Sequence, residues 1–131
     1  VTVTQTQADA NGNSNDLFDL KLPIAFGYTQ QESGQSKIPN PKSKIFTVRV
    51  HEREQSFYFP LEEKPSFVSF DAGNHYLKTV VLEYPLPELK AQLQFDPDPI
   101  SRIYAAEAIA KKGGLEAVKA LAEALEKDEF W

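Results

Sequence analysis

The 131-residue sequence predicts a mainly β protein with a small α appendage: an antiparallel β-sandwich over 1–85, then the truncated beginning of an α-helical repeat array over 86–131. Three observations carry this expectation. Apolar and polar residues alternate through the first two-thirds of the chain, the pattern of strands with one buried face. At Pro85-Leu86-Pro87 the apolar spacing changes to a helical one. Finally, a helix opening at Asp96-Pro97-Asp98-Pro99 is followed about 30 residues later by Asp128-Glu129-Phe130-Trp131, which reads as the start of a further helix. Helical repeats bury their apolar faces only against neighbouring repeats, so this ending predicts a piece of a longer chain. The absence of any Met agrees with that expectation.

The clearest strand is Leu17 to Phe26, where Phe18, Leu20, Leu22, Ile24 and Phe26 alternate with Asp19, Lys21, Pro23 and Ala25. Pro23 predicts an edge position or a bulge, because proline cannot donate to a neighbouring strand. Val1 to Gln7 is a shorter, β-branched candidate. Ile45 to His51 turns Phe46, Val48 and Val50 to one side, and Phe57, Phe59 and Leu61 continue the scheme. Phe67 to Phe70 and Leu77 to Tyr84 complete about six strands, the number and spacing of a sandwich. Asp71-Ala72-Gly73-Asn74 between the last two is a hairpin signal. Ala8 to Asn15 is a polar turn, and Thr29 to Ser43 a longer polar loop.

Leu86, Leu89 and Leu93 predict a short helix leading into Phe95. Asp98 fits the N-cap of the next helix with Pro99 at its first position, where a missing N–H costs nothing. Gly113-Gly114 ends that helix. A last helix from about Leu115 to Lys127 carries one apolar stripe of Leu115, Val118, Leu121, Ala122 and Leu125. Lys111, Lys112 and Lys127 stand at helix C-termini, where cations are favoured.

Composition narrows the function classes. With 41% apolar residues, nine Phe and five Tyr, the chain can build a core. The net charge of −5 offers no basic footprint for nucleic acid or an anionic membrane. No apolar run approaches the length of a membrane span. Zero cysteines fit a reducing compartment, so a cytoplasmic location is expected.

Chemistry-bearing residues are few. His51-Glu52-Arg53-Glu54 has the start of a zinc-protease helix but has Gln55 where the second His is required. His51 therefore reads as a strand-end residue and His75 as a turn residue, with no metal spacing between them. Ser14, Ser33, Ser36 and Ser43 lie in polar loops without the flanking geometry of a nucleophile. Glu62-Glu63 is a strand-end charge pair, and Asp96 and Asp98 read as helix initiators rather than calcium ligands. Arg102 reads as a structural partner of Asp98 or of an acidic residue in an adjacent repeat. No catalytic, cofactor-binding or metal-binding residue is expected in this chain. Solvent-facing aromatics would mark a protein- or glycan-binding module, for which Tyr28, Tyr58 and Tyr76 are the candidates, although each reads first as partial core.

Several segments in order, Phe59-Pro60-Leu61, Lys64-Pro65, Val68-Ser69-Phe70-Asp71-Ala72-Gly73, Leu77-Lys78 and Asp96-Pro97-Asp98, have a family look. Upstream stand Gln5-Thr6-Gln7 and Phe18-Asp19-Leu20-Lys21-Leu22-Pro23-Ile24. Together they resemble the region after the catalytic domain in the aminopeptidase N family of gluzincin zinc metallopeptidases. The resemblance covers nearly the whole chain. It implies an immunoglobulin-like sandwich leading into HEAT-like helices, a spacer whose partners are the parent's other domains and, through the parent, peptides. The family's His-Glu-x-x-His and Gly-x-Met-Glu-Asn motifs do not occur here, so zinc is expected only in the parent's catalytic domain. The family also includes non-catalytic scaffolds. The tail alone also resembles HEAT-like repeats of the bilin-lyase kind, which the upstream sandwich does not fit.

Overall fold

A computed structural model describes residues 1–8, 11–12, 16–29 and 42–127. Most of the turn at Ala8–Asn15, most of the loop at Thr29–Ser43, and the segment Asp128–Trp131 lie outside the described residues, and with them Ser14, Ser33 and Ser36. The described residues form two small antiparallel sheets and three helices, a mixed α/β arrangement with no closed barrel.

The larger sheet has the order β3-β2-β5, from β2 (Leu20–Tyr28), β3 (Lys42–Val50) and β5 (Phe67–Phe70). Its register sets Leu22 opposite Val48 and Ile24 opposite both Phe46 and Phe70. Leu22, Ile24 and Phe26 of β2 are buried, as period two requires. They form a core with Val48, Val50 and Val68.

Pro23 is a correction, because β2 is the central strand rather than an edge. The β5 ladder begins one residue further on, at Ile24, and the Pro23 carbonyl accepts from the Ala72 N–H at 3.1 Å. The missing N–H therefore falls where β5 has already turned away. A central strand tolerates proline at such a local edge.

The second face of β2 is lined by small residues. Ala25 pairs with Ser69 and Gly27 with Phe67. A Cβ on Gly27 would sit 2.2 Å from the Phe67 ring, so only glycine admits that ring.

The smaller sheet pairs β1 (Thr2–Thr4) with β4 (Glu54–Ser56), with Val3 opposite Gln55. Gln5 extends its hold. The buried amide of Gln5 donates to the Phe18 carbonyl and accepts from the Phe18 N–H, both at 2.9 Å, so a side chain replaces a strand neighbour. Val1, Val3 and Phe57 pack against the larger sheet's core.

Two expected strands form no ladder. Phe57, Phe59 and Leu61 do turn inward, and Phe59 packs on Phe26 and Phe46 at ring-centroid distances of 4.8 and 5.1 Å. Phe57 still exchanges backbone hydrogen bonds with Val1, at 2.7 and 2.9 Å, and beyond it the segment joins no ladder. Leu77–Tyr84 is likewise unpaired, so Asp71–Asn74 is a turn but not a hairpin. Val80, Leu82 and Tyr84 instead pack on the helices.

The helices are α1 (Leu86–Phe95), α2 (Pro99–Lys112) and α3 (Leu115–Lys127). Asp98 caps α2 by accepting from the Ile100 N–H at 2.9 Å, with Pro99 in the first turn. Gly113, at φ 66°, ends α2 in the left-handed region. Leu89, Leu93, Ala105, Ala108, Ile109, Ala117 and Ala120 make the helical core with Leu82.

The face of α3 corrects the expected stripe. Ala117 and Ala120 are buried, whereas Leu115, Val118 and Leu125 are 70%, 62% and 73% exposed. Leu121 is partly buried and Ala122 exposed. Alanines let α3 lie close on its neighbours, and the larger apolar side chains are turned outward.

Candidate functional site

The most densely bonded place in the molecule is the junction where β5 meets the helices. β5 ends in the turn Asp71–Asn74, closed by the Asn74 N–H donating to the Asp71 carbonyl at 2.7 Å. Asp71 and Asn74 both take positive φ, at 52° and 50°. Asn and Asp occupy this region more readily than other side-chain-bearing residues. The turn aims the Asp71 carboxylate inward, where its side chain has no solvent exposure.

Three groups converge on that carboxylate. Lys78 Nζ donates to Oδ2 at 2.5 Å and the Tyr76 N–H to the same oxygen at 3.1 Å, while His75 Nδ1 lies 3.2 Å from Oδ1. Burial pushes the Asp71 carboxyl up, but the Lys78 ammonium and the backbone of Tyr76 and His75 outweigh it and hold it below 3.8. Lys78 also donates to Asn74 Oδ1 at 2.7 Å and to the Tyr76 carbonyl at 3.2 Å. An ammonium has three donors, so none remains for a substrate. Tyr104 of α2 donates to the Lys78 carbonyl at 3.0 Å, tying the assembly to the helices.

A second polar cluster lies beside it. Ser69 of β5 and Ser101 of α2 hydrogen-bond at 3.2 Å across the interface. Asp96 accepts from the Asp98 N–H at 3.0 Å and from Gln92 Nε2 at 3.2 Å. Burial pushes the Asp96 carboxyl above 3.8; the Asp98 N–H, Ser69 and Gln92 oppose that and the Asp98 charge adds to it. Arg102 Nη1 donates to the Asp96 carbonyl at 2.9 Å, so its guanidinium serves the α1–α2 connection. Gln92 Oε1 and Asp98 Oδ2 are buried without a partner.

The other sequence candidates fall elsewhere. His51 is exposed, and its Nε2 lies 3.6 Å from Glu52 Oε1. Glu62 reaches Lys44 at 3.7 Å on the surface, and Glu63 is exposed. Ser43 lies exposed in β3. Tyr28 is half-buried with its hydroxyl unpartnered, Tyr76 donates to the Lys21 carbonyl at 2.8 Å, and Tyr58 is 93% exposed. Among the described residues no three His, Cys, Asp or Glu side chains gather as a metal site.

The junction's chemistry is that of a fastening. Its ammonium is saturated, the Asp71 and Asp96 carboxylates are taken up by Lys78 and by backbone and amide donors, and it joins β5 to α1 and α2. In the sequence Asp71–Asn74 reads only as a hairpin signal. The Lys seven positions after the Asp is the one local sign of the buried pair. No protein-family model matches the chain, nor does any curated protein or solved structure.

Proposed function

We propose that this chain is a non-catalytic structural spacer of an aminopeptidase-N-like zinc metallopeptidase. In this reading an immunoglobulin-like sandwich carries the first helices of a HEAT-like array and orients them in a parent that removes N-terminal residues from peptides. The observation that carries it is α3, apolar on both sides: Ala117 and Ala120 pack inward while Leu115, Val118 and Leu125 face outward. A helix in the interior of a stacked array needs two such faces, one for each neighbour. The fastened junction at Asp71 and Ser69 adds support, because a spacer must hold sheet and helices in one orientation.

The test has two parts. The purified chain is expected to retain no stoichiometric zinc after dialysis and to release no product from aminoacyl amides. One-to-one zinc or turnover would overturn the non-catalytic reading. A coding sequence with a His-Glu-x-x-His helix upstream of Val1 supports the parent, and a parent lacking one sinks its peptidase half.

Tyr58 favours a second reading, a protein- or glycan-binding module with no peptidase parent. Its ring is 93% exposed, and solvent-facing aromatics are common anchors of such surfaces. Tyr28 and Tyr76, both half-buried, lend it less. A glycan array showing binding lost on Tyr58→Ala would favour it; an array without hits removes its glycan form.

A further inference from the structure

Leu77–Tyr84 joins no ladder, yet its burial follows the period of a strand. Its burial alternates: Lys78, Val80 and Tyr84 are partly buried and Leu82 is buried, whereas Leu77, Thr79, Val81 and Glu83 are exposed. Val80, Leu82 and Tyr84 anchor it on the helical core, and Tyr104 grips it through the Lys78 carbonyl. It has the alternation of a strand and no neighbour. Among the described residues, no backbone N–H or C=O from Thr79 to Glu83 has a hydrogen-bonding partner.

The two edges of this segment differ. In an extended chain the N–H and C=O of one residue point the same way, and successive residues point to opposite edges. The Lys78 carbonyl meets Tyr104, so the even-numbered edge faces α2. The backbone groups of Val80 and Leu82 are unpartnered too, but they lie on the edge turned to α2, which leaves the odd-numbered edge of Thr79, Val81 and Glu83 as the one open to a neighbour. An open edge is a template for another strand.

We propose that this edge pairs antiparallel with the same segment of a second copy of the chain, about a two-fold axis at Val81. That register sets Val81 opposite Val81 and Thr79 opposite Glu83, each a pair that exchanges both backbone hydrogen bonds. About six backbone bonds result from these pairs. On the inner face Val80 adjoins Leu82 of the other copy. The charges agree with the symmetry: Glu83, the one charged residue on the open edge, faces a threonine hydroxyl and not its own copy.

Preorganisation selects a second copy over a free peptide. Each copy's segment is already anchored on its own helical core by Val80, Leu82 and Tyr84, so neither partner has to be ordered on binding. A disordered peptide would have to be ordered at the moment of binding. A ladder of this length is a small interface, so the dimer is concentration-dependent rather than permanent.

Sedimentation velocity of the 131-residue chain over a concentration series tests this. The expected result is a reversible monomer–dimer equilibrium. Val81→Pro, which deletes the central N–H, weakens it by about tenfold or more. Val81→Lys, which opposes two ammonium groups at the axis, also weakens it, and added salt restores part of the loss. Circular dichroism confirms that each variant is folded, and the lysine variant decides if the proline variant is not. Leu125→Glu, on the exposed face of α3, leaves the dimer unchanged. A chain that stays monomeric throughout overturns the proposal, as does a dimer that survives both Val81 substitutions or is lost on Leu125→Glu.

Discussion

Lys78 Nζ lies 2.5 Å from Asp71 Oδ2, and the carboxylate it meets is closed to solvent. Removing one partner of a buried pair leaves the other charge uncompensated, whereas removing both removes the problem. Lys78→Met is therefore expected to cost about 3–5 kcal/mol, read from the urea midpoint. The double variant Asp71→Asn, Lys78→Met should cost less than Lys78→Met alone. A single variant as stable as the parent protein would show that the pair contributes nothing.

The two buried carboxyls give opposite pH dependence. Asp71, held below 3.8 in the fold, contributes stability above that value which is lost as pH falls through its folded pKa. Asp96, pushed above 3.8 by burial, contributes stability below that value which is lost as pH rises through its folded pKa. Asp96→Asn should thus stabilise at pH 7 by about 1 kcal/mol and give no such gain below pH 3.8. Gln92 now donates to Asp96, and turning its amide over would let its unpartnered Oε1 accept from the new amide. Urea unfolding at the two pH values reads the difference, and a loss of stability at pH 7 would contradict it.

Gly27→Ala places a Cβ 2.2 Å from Phe67 Cζ, in a ring that is itself only 2% exposed. The ring has no room to retreat, so the β2–β5 ladder must shift. A loss of about 1–3 kcal/mol is expected. Phe67→Leu in the same background should recover part of it, which a purely backbone effect of alanine would not allow.

The faces of α3 can be told apart by two substitutions. Leu125→Lys changes an exposed position and should move stability by no more than about 0.5 kcal/mol. Ala117→Leu inserts a branched side chain into the helical core and should cost about 1–3 kcal/mol. Thermal unfolding of the two variants is enough, and the reverse order would place the leucine stripe inward.

Much of the fold was legible because burial follows period. Leu22, Ile24 and Phe26 alternate in the sequence and line the core in the structure. Asp98, Pro99 and Gly113 mark the ends of α2 by local backbone chemistry, which needs no tertiary information. Pairing was harder to read. Phe57–Leu61 and Leu77–Tyr84 have the alternation of strands, yet alternation reports which side is covered and not whether a neighbour lies alongside. On α3 the larger side chains drew the expected face, while close helix packing selected Ala117 and Ala120. The junction was invisible for a related reason: the depth that makes Asp71 consequential is set by β2, α1 and α2 around it.

The small sheet has a bearing on how the molecule opens. Thr2 and Ser56 share a hydrogen bond across 54 positions of chain, whereas the contacts of α1 with α2 and of α2 with α3 link neighbours in sequence. Distant closures come late in folding and local ones early. The β1–β4 ribbon is only three residue pairs long, with the Gln5 amide as its clasp. In native-state hydrogen exchange the amides of Val3 and Gln55 should therefore trade their protons well before those of Ile24 or Ile109. On that order of exchange the molecule should come apart from its first strand inward, with the helices letting go last.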